Sequence, residues 1–365
     1  MSTGHLAEVY AQWPLQVESA SGVHLHTRDG RQILDLYGGH AVAALGYSHA
    51  RWLATLESQA RSLLFQSNAV PLPVRERAAD RLTRFAGQDL STVFFGNSGA
   101  EANENALRLA LKITARDKVV ALEGSFHGRT AAAGAVTWGA ADRWYGFPRA
   151  PFDVEFIPRS DPASISAAVD SDTGAVIVEP IQGVAGAVDL GKPMLDALRA
   201  RCTDVGALLI FDEVQCGLGR TGFPFAANMY DVRPDMLTTA KALGAGFPCA
   251  ALLMSDEVAS GLSKNDLGTT FGGGPMGCAL IEAVVDQDAD LRGLHALGRL
   301  PLRDDRPPSH GIPPPPPPGQ PPQTDQEEGE QQEPVVREPP RRLLGRGRQL
   351  HVAGREDDDG GQPLP

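Results

Sequence analysis

The feature that most constrains this chain is a series of short, continuous apolar runs bounded by turn residues: TVFF (92–95), KVVAL (118–122), AVIVE (175–179), ALLIF (207–211) and CAALLM (249–254). A strand with one wet face alternates polar and apolar residues, whereas a run that is apolar throughout is covered on both faces. Helical segments lie between several of these runs, such as ASISAAV (163–169) and KPMLDALRARC (192–202). Strands buried on both faces and joined through helices give an α/β fold with a mainly parallel sheet, whose ligands sit beyond the carboxyl ends of the strands. Ahead of the sheet, VHLHTRDGRQILDL (23–36) alternates around Asp29-Gly30, a hairpin signal, so residues 1–45 are assigned a small N-terminal β element. The sequence contains no internal repeat.

Composition divides the chain near residue 286. Thirteen of the 29 prolines lie in residues 1–286 and 16 lie from Pro301 onward, and the last aromatic residue is Phe271. Residues 287–365 hold ten arginines, no lysine and the run Pro313 to Pro318, without helical or strand periodicity. Such a segment buries too little apolar surface to offset its ordering entropy, so it reads as a disordered tail. A change of reading frame, a natural disordered tail and a polyproline ligand for an SH3-type domain each account for it. Residues 46–286 remain as the large domain. The net charge of −12 argues against nucleic acid or an anionic membrane as partner. No basic region followed by an apolar run opens the chain and no 18-residue apolar stretch occurs, so a cytoplasmic location is expected. Cys202, Cys216, Cys249 and Cys278 lack the close spacing of zinc sites or redox dithiols and read as buried, reduced thiols. No metal site is expected.

Three groups stand at strand ends. TVFF runs into GNSGAEANENALRLALK (96–112), where Ser98 and Glu101 have capping-box spacing and a helix is expected to start near Gly99. Free amides at that start suit a phosphate, and Ser98 can add a hydrogen bond; an ordinary capped helix has the same pattern. ALLIF is followed by Asp212-Glu213, two acids at the end of a buried strand, which need a cation. One candidate is Mg²⁺ in a nucleotide site, since GAVDLGKP (186–193) has the G-x-x-x-x-G-K spacing. Pro193, however, stands where a hydroxyl must hold the metal, and Gly191-Lys192-Pro193 reads better as the start of the next helix. The other candidate is a protonated pyridine nitrogen, which requires a lysine elsewhere to form an imine. Of five lysines, Lys241 alone follows a strand (DMLTT, 235–239) within apolar and small residues, and Gly244 and Gly246 follow it in a turn. Desolvation there lowers an amine's pKa and makes it a usable nucleophile.

The strings FFGNSGAEANENALRLA, EGSFHGRT, VEPIQG, LLIFDEVQCGLGRTG, TTAKALGAGFP and TTFGGGPMGCA, in that order, resemble the class III pyridoxal-phosphate aminotransferases, and the acetylornithine/ornithine type most. The resemblance covers about residues 10–286 and implies a fold-type-I transferase binding pyridoxal 5'-phosphate. It implies that Lys241 holds the cofactor as an imine and that Asp212 pairs with the ring nitrogen, with Glu213 beside it in the cofactor site. Gln215 bonds the ring oxygen, Phe126 and Val214 cover the ring faces, and Gly99 and Ala100 offer amides to the phosphate. Thr270 reaches the cofactor of a neighbouring subunit, which implies a homodimer with shared sites. Arg129 binds a substrate carboxylate and Thr269 lies near the substrate. His127 reads as a hydrogen-bonded structural residue. The implied reaction moves the terminal amine of an N-acyl-ornithine-like donor to 2-oxoglutarate, as in arginine biosynthesis. Another ω-amine transaminase, a semialdehyde aminomutase or a truncated, inactive cofactor-binding product are the alternatives. Two departures stand out: Val184 replaces the glutamate usual after Gln182-Gly183, and the family's small C-terminal domain has no counterpart in residues 287–365.

Overall fold

Each of the five apolar runs forms a strand of one seven-stranded sheet in the computed structural model, which describes residues 5–296. The hairpin forms as expected. Three strands, β1 (Val17–Ser21), β2 (His24–Thr27) and β3 (Gln32–Leu34), pair antiparallel, with His24 opposite Leu34 and His26 opposite Gln32. Gly30 turns the chain at φ +84°, a conformation that costs glycine little.

The main sheet comprises β4 (Leu90–Gly96), β5 (Lys118–Leu122), β6 (Asp153–Ile157), β7 (Thr173–Val178), β10 (Leu208–Asp212), β11 (Met236–Thr239) and β12 (Ala250–Ser255). Between β7 and β10 lies a two-stranded ladder of β8 (Ile181–Gln182) and β9 (Val188–Asp189). The main order is β4-β12-β11-β10-β7-β5-β6, and only β12 runs against its neighbours. The carboxyl ends of β4, β5, β7, β10 and β11 therefore share one edge.

Alternate residues of a strand face opposite layers, and both layers are apolar here. Val176, Val178, Leu209 and Phe211 enter one buried cluster, which includes residues of the helices Pro73–Ala86 and Gly191–Val205. Ala175, Ile177 and Ile210 enter the other, with Ala106, Leu107 and Ala110 of the helix Gly99–Thr114. Every residue of β7, β11 and β12 is buried, the physical reason these runs carry no polar alternation. The Gly191-Lys192-Pro193 segment does begin a helix, and Lys192 pairs with Asp196 at 2.8 Å within it.

One boundary moves. The helix that begins at Pro275 does not stop near residue 287 but runs to Ala296. Ala289, Leu291, Arg292, Leu294 and Ala296 are good helix formers, and no proline occurs between Pro275 and Pro301. Composition over the whole tail masked this local propensity. Upstream, Glu282 of this helix pairs with Arg77 at 3.0 Å and Asp286 with Arg51 at 2.9 Å, which ties the helix to earlier segments. The expectation of a disordered tail falls, beyond Ala296, outside the described residues. Among the described residues no helix is long and apolar enough to cross a membrane, and all four cysteines are free and buried.

Candidate active site

The shared strand edge opens onto a cavity of about 440 Å³, within the range of small-molecule clefts. Ser98, Gly99, Ala100, Phe126, Arg129, Asp212, Val214, Gln215 and Lys241 all line it. They come from separate stretches of the chain, and only the topology brings them together.

Asp212 ends β10 at the floor, 3% exposed. Its Oδ2 accepts from Asn103 Nδ2 at 2.7 Å and His127 Nδ1 at 2.8 Å, and its Oδ1 accepts from the Val214 amide at 3.0 Å. Asn103 in turn donates to the His127 carbonyl and accepts from the Thr238 hydroxyl at 2.6 Å. This network fixes the carboxylate in one orientation, and it makes His127 the structural residue expected. The histidine ring is buried, and its Nε2 has no partner among the described residues.

Lys241 follows β11 and sits at φ +45°, a left-handed conformation that non-glycine residues adopt at a cost. Such strain persists only where packing holds it, and Ala240, Ala242 and Leu243 are buried around it. Burial pushes the Lys241 ammonium pKa down, against the opposing pull of the Asp212 and Glu179 carboxylates. The amine is thereby biased toward its nucleophilic form. In the turn beyond, Gly246 (φ +116°) lines the cavity, whereas Gly244 is pressed against the Phe247 carbonyl.

The helix at residue 99 starts as the sequence implied. Ser98 accepts from the Glu101 amide at 3.2 Å, but Glu101 returns its bond to the Asn97 amide at 2.7 Å, not to Ser98, so only half of the expected capping box forms. A Cβ at Gly99 would lie 2.7 Å from a Val214 methyl, so glycine is what lets Val214 lie over this helix start. Gln215 packs against Gly183 in the same way, where a Cβ would overlap its Oε1.

Two expected site residues lie outside the cavity, and a third, Thr270, is one that the resemblance assigns to a neighbouring subunit. Glu213 turns away from the cavity because successive side chains of an extended chain point to opposite sides. Its carboxylate is buried and accepts from the Ala226 and Ala227 amides at 2.5 and 2.8 Å, holding the start of the helix Ala226–Tyr230. Thr269 does not line the cavity; its hydroxyl joins Asn97 Nδ2 at 3.2 Å to the Gly272 amide at 3.1 Å, bracing a wall residue. Thr270 is exposed and contributes nothing to the cavity of its own chain.

Two residues went unnoticed in the sequence. Asn103 carries a polar amide in a helix interior, a position asparagine disfavours, and that was its signal. Glu179 closes the apolar run AVIVE as Asp212 closes ALLIF. It lines the cavity, and it accepts from the Phe126 and Gly183 amides at 2.9 and 3.1 Å. Burial and the nearby Asp212 charge push its carboxyl up to about 7.

A lysine amine, an oriented buried carboxylate and a helix start in one cavity define the site of an imine-forming, phosphate-bearing cofactor with a basic ring nitrogen. Among the described residues no acceptor takes the Gly99 or Ala100 amides, which suits a phosphate. The residues present fit pyridoxal phosphate. Comparison with known proteins agrees. The family model "Aminotransferase class-III" matches residues 6–292. Over 276 residues the chain is 40% identical to acetylornithine aminotransferase of Methanopyrus kandleri, covering 76% of this chain and 71% of that protein. It is 39% identical to acetylornithine/succinyldiaminopimelate aminotransferase of Yersinia pestis, over 76% of this chain and 69% of that protein. The solved ornithine aminotransferase of Toxoplasma gondii, described with partial occupancy of PLP at its active site, superposes with a TM-score of 0.72 at 29% identity, covering 81% of this chain and 73% of that one. The chain belongs to the class-III aminotransferases, and its cofactor is pyridoxal 5'-phosphate.

Proposed function

We propose that this aminotransferase moves the terminal amine of an N-acyl-ornithine-like donor to 2-oxoglutarate, a reaction of the arginine-biosynthesis type carried out in the cytoplasm. The observation that carries the reading is the convergence of Lys241, Asp212 and the Gly99 helix start on one cavity, with Arg129 at its mouth. The names of the relatives in Methanopyrus kandleri and Yersinia pestis support the donor.

When bound, pyridoxal phosphate supplies an electron sink for the donor carbon that loses its proton. Asp212 sits where it can keep a ring nitrogen protonated, and its three hydrogen-bond donors leave it no freedom to turn away. Val214 and Phe126 present apolar surface to the two faces of a flat ring. Lys241 Nζ would accept the proton that leaves the donor carbon and pass it to the cofactor carbon that takes up the amine, work suited to an amine whose pKa burial has lowered. Gln215 offers an amide to a ring oxygen. Arg129 is exposed and free of ion pairs among the described residues, so it can receive a carboxylate by its paired N–H groups.

The site is completed by a second copy of the chain. Thr270, idle in its own subunit, belongs in this reading to the neighbour's phosphate site. Phe271 beside it is 69% exposed and its ring lies 5.4 Å from that of Phe65, an apolar surface suited to burial between subunits. Sedimentation should give a dimer, and Thr270→Ala should weaken cofactor binding in both subunits.

The direct test is borohydride reduction of the holoenzyme followed by peptide mapping. Label on Lys241, with glutamate formed from N-acetylornithine and 2-oxoglutarate, is the expected result. Label on another lysine, or turnover of other ω-amines alone, refutes the reading.

A further inference from the structure

Arg129 has an unusual environment for a side chain assigned to grip a substrate. Its backbone is pinned on both sides. Gly128 lies at φ +135° with its open side against Ala100, where a Cβ would come within 2.6 Å of the Ala100 Cβ. On the other side Glu104 holds Thr130 by its hydroxyl, at 2.5 Å, and the amides of Ala132 and Ala133, at 2.9 and 3.1 Å. The side chain itself, with four rotatable bonds, makes no hydrogen bond or ion pair among the described residues. Its guanidinium lies over one group, the Trp144 ring, 4.6 Å from the ring centroid.

Trp144 is held firmly enough to serve as that support. Its amide and that of Tyr145 both donate to the Ala140 carbonyl, at 3.0 and 2.8 Å. Tyr145 then anchors the turn from the other side: its hydroxyl donates to the Ala131 carbonyl at 2.8 Å, and its ring packs on Gly134, where a Cβ would lie 3.0 Å away. The tryptophan is thus fixed to the helix Ala131–Ala135, which begins two residues after Arg129 in the chain.

We infer that Trp144 is the positioning residue for Arg129, holding the guanidinium at the cavity mouth so that it meets a substrate carboxylate already oriented. The geometry suits both partners. An aromatic face attracts a guanidinium through its plane and leaves the N–H edge free, and that edge binds a carboxylate in bidentate fashion. An arginine held this way gives up less freedom on binding than one that wanders in solvent. An acidic partner would orient Arg129 equally well but would compete with the substrate, whereas an indole does not. The ligand class is a carboxylate on the donor, away from the reacting amine. The inference rests on Arg129 as the carboxylate clamp, and the experiment separates the two.

Holoenzyme is titrated calorimetrically with N-acetylnorvaline, which keeps the donor's carboxylate and acyl group but lacks the reacting amine, and with N-butylacetamide, which lacks the carboxylate as well. Trp144→Ala and Trp144→Leu should weaken N-acetylnorvaline binding about two- to fivefold, the range a partly exposed cation–π contact supports. Trp144→Phe, which restores an aromatic face, should recover most of the loss. N-butylacetamide affinity and the absorbance of the bound cofactor should stay unchanged in all three, and KM for N-acetylornithine should rise while kcat holds. If Arg129→Ala leaves N-acetylnorvaline binding intact, the carboxylate clamp is wrong and the inference falls with it. If Arg129→Ala weakens binding but Trp144→Leu does not, or weakens both ligands equally, the clamp stands and the role of Trp144 is overturned.

Discussion

The floor and the mouth of the cavity are built on opposite terms. At the floor, Asp212, Asn103, His127 and Thr238 are buried and bonded to one another, and Glu179 takes two backbone amides; behind it Glu213, turned away from the cavity, takes two more. At the mouth and on the surface around it, Arg129 lies over Trp144 with no hydrogen bond or ion pair among the described residues, Thr270 is exposed, and Val184 is 65% exposed. Buried polar groups must find partners within the fold because water cannot serve them. Apart from His127 Nε2, which has no partner among the described residues, the floor is bonded within one chain, and the mouth waits for what binds there. In the function proposed above, cofactor chemistry belongs to the first region and the choice of substrate to the second.

The sharpest way to break this division is at Asp212. Asp212→Asn keeps the volume but presents an uncharged amide to the ring nitrogen. Cofactor should remain bound through Lys241 while the half-reaction with N-acetylornithine slows about 10²–10³-fold, the scale for removing one preorganised electrostatic contact. Stopped-flow absorbance of the holoenzyme measures it. A rate near that of the parent would move the electron-sink role off Asp212.

A smaller effect is expected where the floor meets the phosphate site. Gly99→Ala places a methyl group 2.7 Å from a Val214 methyl, and overpacking of this kind typically costs about 1–3 kcal/mol. Part of that cost should appear as roughly tenfold weaker cofactor binding, because Val214 is displaced into the cavity. The double variant Gly99→Ala/Val214→Ala should recover the affinity, measured by equilibrium dialysis of cofactor. Failure to recover would show that the Gly99 amide geometry, not the Val214 contact, is what the methyl disturbs.

The same contrast accounts for what could be read from sequence. The apolar runs, the hairpin at Asp29-Gly30 and the helix at Gly99 were legible because each is a local pattern with a single physical solution. Lys241 and Asp212 were legible because a buried strand that ends in a lysine or an acid pays a desolvation penalty that ordinary packing does not offset. Asn103 and Glu179 were missed although each left a local mark, an amide in a helix interior and an acid closing an apolar run, because what they bond is set only after the topology has brought β7, β10 and the helix Gly99–Thr114 together. Glu213 was misplaced for a related reason: adjacency to Asp212 in sequence means opposition in space along an extended chain. Thr269 was near in sequence to the right place, yet its hydroxyl is spent on Asn97. The helix end at Ala296 was misjudged because a compositional average over 287–365 outweighed a short stretch of good helix formers.

Glu213 offers a test in stability. Glu213→Ala leaves two buried amides unpaired and should cost about 1–3 kcal/mol, read by urea unfolding of the holoenzyme. Its pH dependence has a definite sign. Burial pushes the Glu213 carboxyl up to about 7 from its ordinary 4.5, so the folded chain holds this proton more tightly than the unfolded chain does. The stability it contributes is full below about pH 4.5 and is lost as pH rises through about 7. Glu179, also raised to about 7, acts in the same direction. Glu213→Gln should therefore flatten the fall in stability between about pH 5 and 7 by roughly half. An unchanged slope would mean that Glu213 is ionised in the fold across that range, its charge met by the Ala226 and Ala227 amides.

The smallest effect is expected at the mouth, and its smallness is informative. Val184 follows the β8 strand, faces a second cavity bounded by Leu36, Tyr37, His40 and Arg220, and is mostly exposed. A surface substitution away from packing, caps or ion pairs changes stability by no more than about 0.5 kcal/mol. Val184→Ser should therefore leave the thermal midpoint and the bound cofactor unchanged, because neither floor nor phosphate site rests on it. On the proposed donor reading it should alter the choice of donor, since a wall of the second cavity, which shares Gln215 with the first, becomes polar: the ratio of N-acetyl to N-succinyl donor used should shift. Competition assays with N-acetyl- and N-succinylornithine in the same reaction read that ratio directly. A drop in thermal midpoint comparable to that of Glu213→Ala would show that Val184 is packed in the assembled enzyme. The mouth would then be a second buried layer, and the division between a self-contained floor and an open mouth would fail at this residue first.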